Sequence, residues 1–511
     1  MAFQNLSRWD GDDNLVRGPK GELENFKLVI AKTSFIQYCL TQCYDVHKES
    51  ILLGAPMSHC SLTRIDVRPS DEMTGKFSNR VSHMPLTHQT SDFTSLSEDG
   101  SVLVYPGGNT RCAFDDYSDP VTGFTTNSTY FFQVFPNTNH DKSKLMIFFQ
   151  GGGGCTDDNT CAFGLECSLA ENALFTTVAT VRGAGVIDRS MVDNMFKDWN
   201  VVFVPYCTGD VHAGNKVFPP FESGIEKSLG NPQCLGKNFS MHMNGYNNSR
   251  STLDWARQNF PDVDNLVVGG ASAGSLGAQF FSAQIADMWD VDARGTRFSV
   301  MADSYVGVLP ESRPVPALLR FFGACENGLA FPPDIAAVCN AKNASVIDLV
   351  NALIEDQPDS KWLFVNSKGD EVQRYYYALV AEGSQGYPFP NLMPEEALYR
   401  NMSAILDAYQ MVSPHIFTFY VEGNHHVFLT DKNFTSYKSD AGLYLRDVIK
   451  EWLASNVSLD PAAITRSASN TLLTTNTTRA ETKSGMVDAN DPDSTPIELT
   501  TAPSAAAPSG C

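Results

Sequence analysis

Short apolar runs, each followed by a longer stretch of mixed polarity, recur along the middle of the chain. Seven of these runs are rich in β-branched and aromatic residues and predict buried strands, at residues 130–135, 145–149, 201–205, 266–269, 298–302, 362–366 and 416–421. Apolar positions at helical spacing predict helices at residues 249–259, 277–288 and 442–454. The alternation is typical of βαβ units, so we predict an α/β fold with a mostly parallel central sheet flanked by helices.

Composition divides the chain into three parts. Residues 1–100 are polar and acidic without clear periodicity, which predicts a partly ordered N-terminal extension. Residues 101–456 carry the predicted strands and helices and are expected to form one α/β domain. Residues 457–511 are rich in Ser, Thr, Pro and Ala. They cannot bury enough apolar surface to offset the entropy lost on ordering, so we predict a disordered tail.

The charge balance bears on the partners of the protein. With 37 basic and 58 acidic side chains the net charge is -21, and no run of five basic residues occurs. A phosphate backbone would be repelled, which argues against a nucleic-acid partner. No stretch reaches the roughly 18 uninterrupted apolar residues of a membrane span.

Cysteine spacing and glycosylation motifs favour an oxidising compartment. The 12 cysteines include near neighbours, which are Cys39/Cys43, Cys155/Cys161/Cys167 and Cys325/Cys339. Such pairs predict disulfides, and the absence of a Cys-x-x-Cys pair disfavours zinc. Nine Asn-x-Ser/Thr motifs point the same way, so we expect a secreted or extracellular glycoprotein. Residues 1–30 lack the ordered features of a signal peptide, which leaves the route of export open.

A candidate nucleophile lies between a predicted strand and a predicted helix. Residues 270–274 read GASAG, directly after the apolar run NLVVGG and before SLGAQFF. A tight turn in this context exposes the central side chain, Ser272, at the edge of the sheet. The alternative is a small-residue turn that only packs closely against the sheet.

A second glycine-rich segment follows another predicted strand. Residues 151–154 are four glycines after the run LMIFFQ. Consecutive glycines let backbone amides turn inward, as an oxyanion hole requires. A phosphate-binding loop is disfavoured because no Gly-Lys-Ser/Thr follows. A loop without a catalytic role is the other alternative.

A base and an acid are expected downstream of Ser272. His425 and His426 follow the predicted strand at residues 416–421, and a loop at the carboxyl end of such a strand is where sheets of this kind build their sites. Asp370 follows the strand at residues 362–366 and is the candidate acid, with Asp303 as the runner-up. Alternatively, Asp370 serves only as the N-cap of the next helix.

Together these segments resemble the pectin acetylesterase/Notum family of carboxylesterases, which implies an α/β-hydrolase-like fold. The resemblance covers roughly residues 100–455 and rests on four stretches, namely 150–155 (QGGGGC, with Cys161 beyond), 270–274 (GASAG), 369–373 (GDEVQ) and 423–429 (GNHHVFL). It implies that the acid is Asp370 rather than Asp303. It also implies that the base is His426 rather than His425.

The resemblance carries further expectations about the site. It implies that the amides of Gly152, Gly153 and Ala273 form the oxyanion hole. Asp210 and His212 lie in a segment that also looks like the family, and are predicted to line the substrate-binding pocket or to support it structurally. Gly153 stands where plant and animal relatives carry Trp, which leaves the accepted acyl group open. No metal or organic cofactor is required.

The function implied is that of a serine carboxylesterase. Its expected substrate is an O-acyl group, with O-acetyl favoured, on an extracellular polysaccharide. One alternative is a long-chain O-deacylase acting on a lipidated protein or a lipid. Another is a binding protein that keeps the fold without catalysis, but the filled triad positions argue against it.

Overall fold

The computed structural model describes residues 100–118, 125–156, 181, 183–222, 238–326, 329–383 and 391–455. The predicted extension, apart from its last residue, and the predicted tail lie outside these ranges. So do the cysteine neighbours Cys39/Cys43 and the partners Cys161 and Cys167 expected for Cys155.

Strands and helices alternate through the described ranges. The strands are β1 (Val102–Val104), β2 (Tyr117–Ser118), β3 (Thr125–Thr126), β4 (Phe132–Phe135), β5 (Lys144–Phe149), β6 (Asn200–Val204), β7 (Lys216–Glu222), β8 (Asn238–Met243), β9 (Asn265–Ala271), β10 (Arg297–Asp303), β11 (Lys361–Ser367) and β12 (Ile416–Val421). The helices are α1 (Gly245–Asn259), α2 (Ala273–Phe280), α3 (Ser282–Trp289), α4 (Val291–Arg294), α5 (Val315–Phe322), α6 (Pro333–Asn340), α7 (Val346–Asp356), α8 (Glu371–Glu382), α9 (Glu395–Val412) and α10 (Leu445–Ala454).

The central sheet has eight strands in the order β1-β4-β6-β5-β9-β10-β11-β12. Strands β1, β4 and β6 pair antiparallel. From β6 to β12 every pair is parallel. Because parallel neighbours end at the same edge, the segments that follow β5, β9, β10, β11 and β12 meet there. The fold is an α/β-hydrolase-like sheet flanked by helices, as predicted.

The strands are apolar on both faces because the sheet is covered on both sides. In β5, Leu145, Ile147 and Phe149 belong to one buried cluster, whereas Met146 and Phe148 belong to another. The first cluster includes Trp255 of α1 and Trp289 of α3, and the second includes Trp452 of α10. This double burial explains why the strands appear in the sequence as continuous apolar runs.

All seven predicted strands are present, and no end is shifted by more than two residues. The predicted helix at residues 277–288 spans α2 and α3, which are separated at Phe281. The sequence analysis missed β1, which has only three residues, and the antiparallel pair β7/β8. Strand β7 contains two prolines and an irregular register, features that argue against a strand when read from sequence.

Two disulfides join described cysteines. Cys325 bonds to Cys339, one of the predicted near-neighbour pairs. Cys112 bonds to Cys207, 95 residues away, and so ties the segment before β4 to the segment after β6. Cys155, at the end of the glycine loop (residues 151–154), is disulfide-bonded as well. Among the helices of the described ranges, none is long and apolar enough to cross a membrane.

Removing the long-range disulfide is expected to destabilise the fold. Changing Cys112 and Cys207 together to alanine should lower the free energy of unfolding by about 2–5 kcal/mol, because the bond restricts the unfolded chain. Urea unfolding followed by tryptophan fluorescence measures the change. The matched control, Cys325→Ala with Cys339→Ala, opens a loop of only 14 residues and should cost less. A Cys112/Cys207 variant as stable as the wild type would contradict the prediction.

Candidate active site

Ser272 occupies a strained turn between β9 and α2. Its backbone angles are φ 55° and ψ -120°, a combination that side chains other than glycine rarely adopt. Its amide donates to the carbonyl of Asp303 at 2.8 Å. The side chain is half-buried at the carboxyl edge of the sheet, directly before the first turn of α2. This is the strand–turn–helix geometry that the GASAG pattern predicts.

The turn closes only because its flanking residues are glycines. A methyl carbon added at Gly270 would lie 1.9 Å from the carbonyl oxygen of Gly274. One added at Gly274 would lie 2.0 Å from the carbonyl oxygen of Phe149, at the end of β5. Both distances are far below van der Waals contact, so only glycine fits at these two positions of the fold.

The glycine loop lies beside this turn. A methyl carbon added at Gly151 would lie 2.6 Å from the carbonyl oxygen of Ala271 and 3.0 Å from Cβ of Ser272. Gly153 has φ 79°, which glycine adopts without strain. Within the described part of the chain, the amides of Gly152 and Gly153 donate to no protein acceptor. The amide of Ala273, in the first turn of α2, has no intrahelical acceptor either.

Buried polar side chains hold the glycine loop in place. The Tyr206 hydroxyl donates to the carbonyl of Gly153 at 3.1 Å and accepts the amide of Val211 at 2.7 Å. Nε2 of His212 lies 2.8 Å from the carbonyl oxygen of Gln150. Burial lowers the pKa of His212 to about 4, although the Gln150 bond opposes it. The ring is therefore neutral at working pH and donates its Nε2–H to Gln150.

Asp210 joins the segment after β6 to the start of α1. Its carboxylate accepts the Thr208 hydroxyl at 2.7 Å and the amide of Gly245, the first residue of α1, at 2.8 Å. Burial raises the pKa of Asp210 to about 6 against these hydrogen bonds. Asp210 is 0% exposed and His212 is 2% exposed. These positions favour the structural alternative stated for the pair, and contact of either side chain with substrate stays a prediction.

Asp370 and His426 form a hydrogen-bonded pair. Asp370 is 0% exposed and is the N-cap of α8. One carboxylate oxygen accepts the amide of Gln373 at 3.0 Å, and the other lies 2.7 Å from Nδ1 of His426. At that distance Nδ1–H donates to the carboxylate and Nε2 is left to accept a proton. The side chain of Asp370 therefore caps α8 and also bonds to His426, and its role as the catalytic acid stays a prediction.

The negative charges near His426 stabilise the protonated form of its imidazole. Burial lowers the pKa of His426, but the charge of Asp370, its hydrogen bond and the charge of Asp303 together raise that pKa above its ordinary value. The side chain of His426 is 9% exposed. An imidazole so placed can take a proton and hold it beside a buried negative charge.

His425 is placed differently from His426. Its Nε2 lies 2.9 Å from the Tyr437 hydroxyl and 3.0 Å from the carbonyl oxygen of Val427. The ring packs against those of Phe428 and Tyr437. His425 therefore helps to fold the loop that follows β12, whereas His426 meets the acid.

Asp303, the runner-up acid, bonds to backbone instead. It ends β10, is 0% exposed, and accepts the amides of Phe428 and Leu429 at 2.8 and 2.7 Å. The residue after it, Ser304, accepts the amide of Val427 at 2.9 Å. The same Asp303 whose carbonyl binds the Ser272 amide thus binds the loop that carries His426.

The arrangement contains the parts needed for acyl transfer. A serine lies at the start of a helix, beside glycine amides without protein acceptors, and a histidine is held by a buried carboxylate. The structure joins His426 to Asp370. No hydrogen bond joins Ser272 to His426. Asp303 bonds to the Ser272 turn, and both Asp303 and Ser304 bond to the loop that carries His426. In the described ranges, no three His, Cys, Asp or Glu side chains group so as to hold a metal ion.

Sequence reasoning missed Tyr206, and it considered Asp303 only as a possible acid. Tyr206 lies two residues after the end of β6, as Asp303 ends β10 and Asp370 follows β11. A polar residue at the carboxyl end of a buried parallel strand was the available signal for Tyr206. Its bonds to the glycine loop depend on contacts between segments 53 residues apart, which no local pattern reports.

Comparison with known proteins agrees with the predicted resemblance. Residues 125–305 match the family model described as Pectinacetylesterase, a range that includes the glycine loop and Ser272 but ends before Asp370. The palmitoleoyl-protein carboxylesterase NOTUM of Schmidtea mediterranea is 26% identical over 153 residues, which are 28% of this chain and 24% of that protein. The chain therefore spans about a quarter of the length of this curated relative. Both matches support the pectin acetylesterase/Notum family and its class, the carboxylic ester hydrolases.

The close packing around Ser272 predicts a steric penalty. Gly274→Ala is expected to lower the free energy of unfolding by about 3 kcal/mol or more, because the backbone of β5 must move to admit the methyl group. Urea unfolding measures the loss. In the matched control, Gly154→Ala, the nearest atom is the Tyr376 hydroxyl at 3.1 Å, which can shift. Equal stability of the two variants would show that the turn is looser than described.

Proposed function

We propose that this chain, a carboxylic ester hydrolase of the pectin acetylesterase/Notum family, is a serine esterase whose catalytic triad is Ser272, His426 and Asp370. The observation that carries the proposal is the 2.7 Å pair of His426 and buried Asp370 at the sheet edge where the Ser272 turn lies. The strained serine turn and the free amides of the glycine loop support it.

The triad acts by forming an acyl-enzyme. Nε2 of His426 takes the proton of the Ser272 hydroxyl as its oxygen attacks the ester carbonyl. Asp370 orients the imidazole and stabilises it while it is protonated. His426 then gives the proton to the leaving alcohol, and a water molecule attacks the acyl-enzyme by the same route. Hydrolysis releases the acid and restores Ser272.

The oxyanion is held by backbone amides. Gly152, Gly153 and Ala273 supply the donors, and the hydrogen bonds from Tyr206 and His212 keep the glycine loop from turning away. Donors held in place before the reaction cost no reorganisation as charge develops on the carbonyl oxygen. One such donor contributes about 3 kcal/mol to transition-state stabilisation.

The favoured substrate is an O-acetyl ester on an extracellular polysaccharide. The matching family model carries the description Pectinacetylesterase. The disulfides Cys112–Cys207 and Cys325–Cys339 support a secreted protein, since such bonds persist in oxidising compartments. A second candidate, a long-chain O-deacylase, is favoured by the relative named as a palmitoleoyl-protein carboxylesterase. Gly153 adds no side chain that would fill an acyl pocket.

Activity on a series of esters tests the function and its two candidate substrates. Purified protein should release nitrophenol from nitrophenyl esters between acetate and palmitate, and Ser272→Ala should lower kcat by at least about 10³-fold. Preference for acetate supports the polysaccharide deacetylase, and preference for palmitate supports the long-chain deacylase. Ser403→Ala, on α9, is the matched control and should keep wild-type activity. A folded wild type inactive on every ester would favour the binding-protein alternative.

The pH dependence of kcat/KM tests the pair of His426 and Asp370. Only neutral His426 accepts the serine proton, so kcat/KM should rise with pH through the pKa of His426, above its ordinary value of 6.5. Asp370→Asn removes the charge that raises this pKa and leaves burial, which lowers it. The rise should therefore move to lower pH while kcat falls about 10⁴-fold. Glu371→Gln, the neighbouring acid, is the control. An unshifted rise in Asp370→Asn would exclude Asp370 as the partner.

A further inference from the structure

Asp303 connects the two segments that carry the proposed nucleophile and base. Its backbone carbonyl accepts the Ser272 amide at 2.8 Å. One oxygen of its carboxylate accepts two consecutive amides, those of Phe428 and Leu429, at 2.8 and 2.7 Å. A single residue at the end of β10 therefore bonds both to the serine turn and to the segment just beyond His426.

Ser304 extends the connection toward His426. Its hydroxyl donates to the other carboxylate oxygen of Asp303 at 2.7 Å and accepts the amide of Val427 at 2.9 Å. Both Ser304 (φ 60°) and Val427 (φ 68°) are held in the left-handed region. A non-glycine residue keeps such a conformation only where its surroundings hold it, and here the three amides that follow His426 are all bonded.

The carboxylate of Asp303 is matched to the hydrogen-bond donors around it. One oxygen faces two N–H donors and the other faces a hydroxyl donor, so every facing group donates. An uncharged asparagine would offer one acceptor oxygen instead of two, and its NH₂ group would face either the two N–H donors or a Ser304 hydroxyl that has turned to accept. The titratable groups that face Asp303 are His426 and Tyr437. Burial raises the pKa of Asp303 to about 6 against its hydrogen bonds and the His426 charge, so the side chain is ionised above neutral pH.

We propose that Asp303 is a positioning residue that fixes the segment carrying His426 to the Ser272 turn and stabilises protonated His426 by its charge. This inference rests on the proposed function, because it assigns a role relative to Ser272 and His426. Asp303 holds the backbone amides of this segment by hydrogen bonds, and its negative charge stabilises the protonated imidazole of His426. Asp370, by contrast, bonds to the imidazole directly.

Two variants in the full chain separate the charge from the anchoring. Asp303→Asn removes the charge and one acceptor, whereas Ser304→Ala removes an anchoring hydroxyl and keeps the charge. The pKa of His426 is measured by NMR on protein with labelled histidine, and the signal is assigned by its loss in His426→Gln. We expect a lower pKa in Asp303→Asn, because a facing negative charge is lost, and an unchanged pKa in Ser304→Ala.

Kinetics on nitrophenyl esters complete the test. Asp303→Asn should lower kcat by about 10- to 100-fold, since displacement of the base reduces the rate steeply, while KM stays within about twofold. Ser304→Ala should lower kcat by a smaller factor, again with little change in KM.

The inference is overturned if folded Asp303→Asn keeps the wild-type pKa of His426 or the wild-type kcat. If Asp303→Asn does not fold, Ser304→Ala decides, and a wild-type kcat in that variant overturns the anchoring role. The NMR titration needs no activity, so the two proposals fail separately. A wild type inactive on every ester overturns the proposed function, whereas an unchanged pKa in Asp303→Asn overturns the role of Asp303.

Discussion

The close approach of three backbone segments around Ser272 is the constraint on which the rest of the site depends. The end of β5, the turn after β9 and the start of α2 pass each other at distances that exclude even a methyl group at Gly151, Gly270 and Gly274. Because β5 and β9 are neighbours in the sheet, this approach places the glycine loop against Cβ of Ser272. The strained serine conformation and the free amides beside it follow from the same packing.

Around this contact, buried polar side chains hold loops. Tyr206 bonds to the carbonyl of Gly153 in the glycine loop, and His212 bonds to the carbonyl of Gln150 just before that loop. Asp303 bonds to amides beyond His426. Buried polar groups cost free energy unless they are paired, but when fully paired they select one arrangement of the backbone. In the proposed mechanism, that arrangement fixes where the proposed oxyanion donors and the proposed base stand before the substrate arrives.

Much of this organisation could be predicted from sequence where the signal is local. The strands were recognised because burial on both faces produces continuous apolar runs, as in β5 and β9. Helices α4 to α7 and α9 were not predicted, although α7 carries a local start signal, a capping box between Ser345 and Asp348. Position in the chain narrowed the candidates for the base to His425 and His426, and the family resemblance then favoured His426. The structure shows that Nδ1 of His426 meets Asp370, while His425 packs on Tyr437. The backbone contacts of the Asp303 carboxylate could not be predicted from sequence, since their partners lie 125 and 126 residues away.

Covalent labelling tests directly whether Ser272 is an activated nucleophile. A fluorophosphonate reacts with a serine whose proton is taken by a neighbouring base, and mass spectrometry locates the modified residue. We expect one phosphonyl group per chain, on Ser272, and much slower labelling of His426→Gln. A folded protein that is unlabelled, or is labelled on another residue, would contradict it.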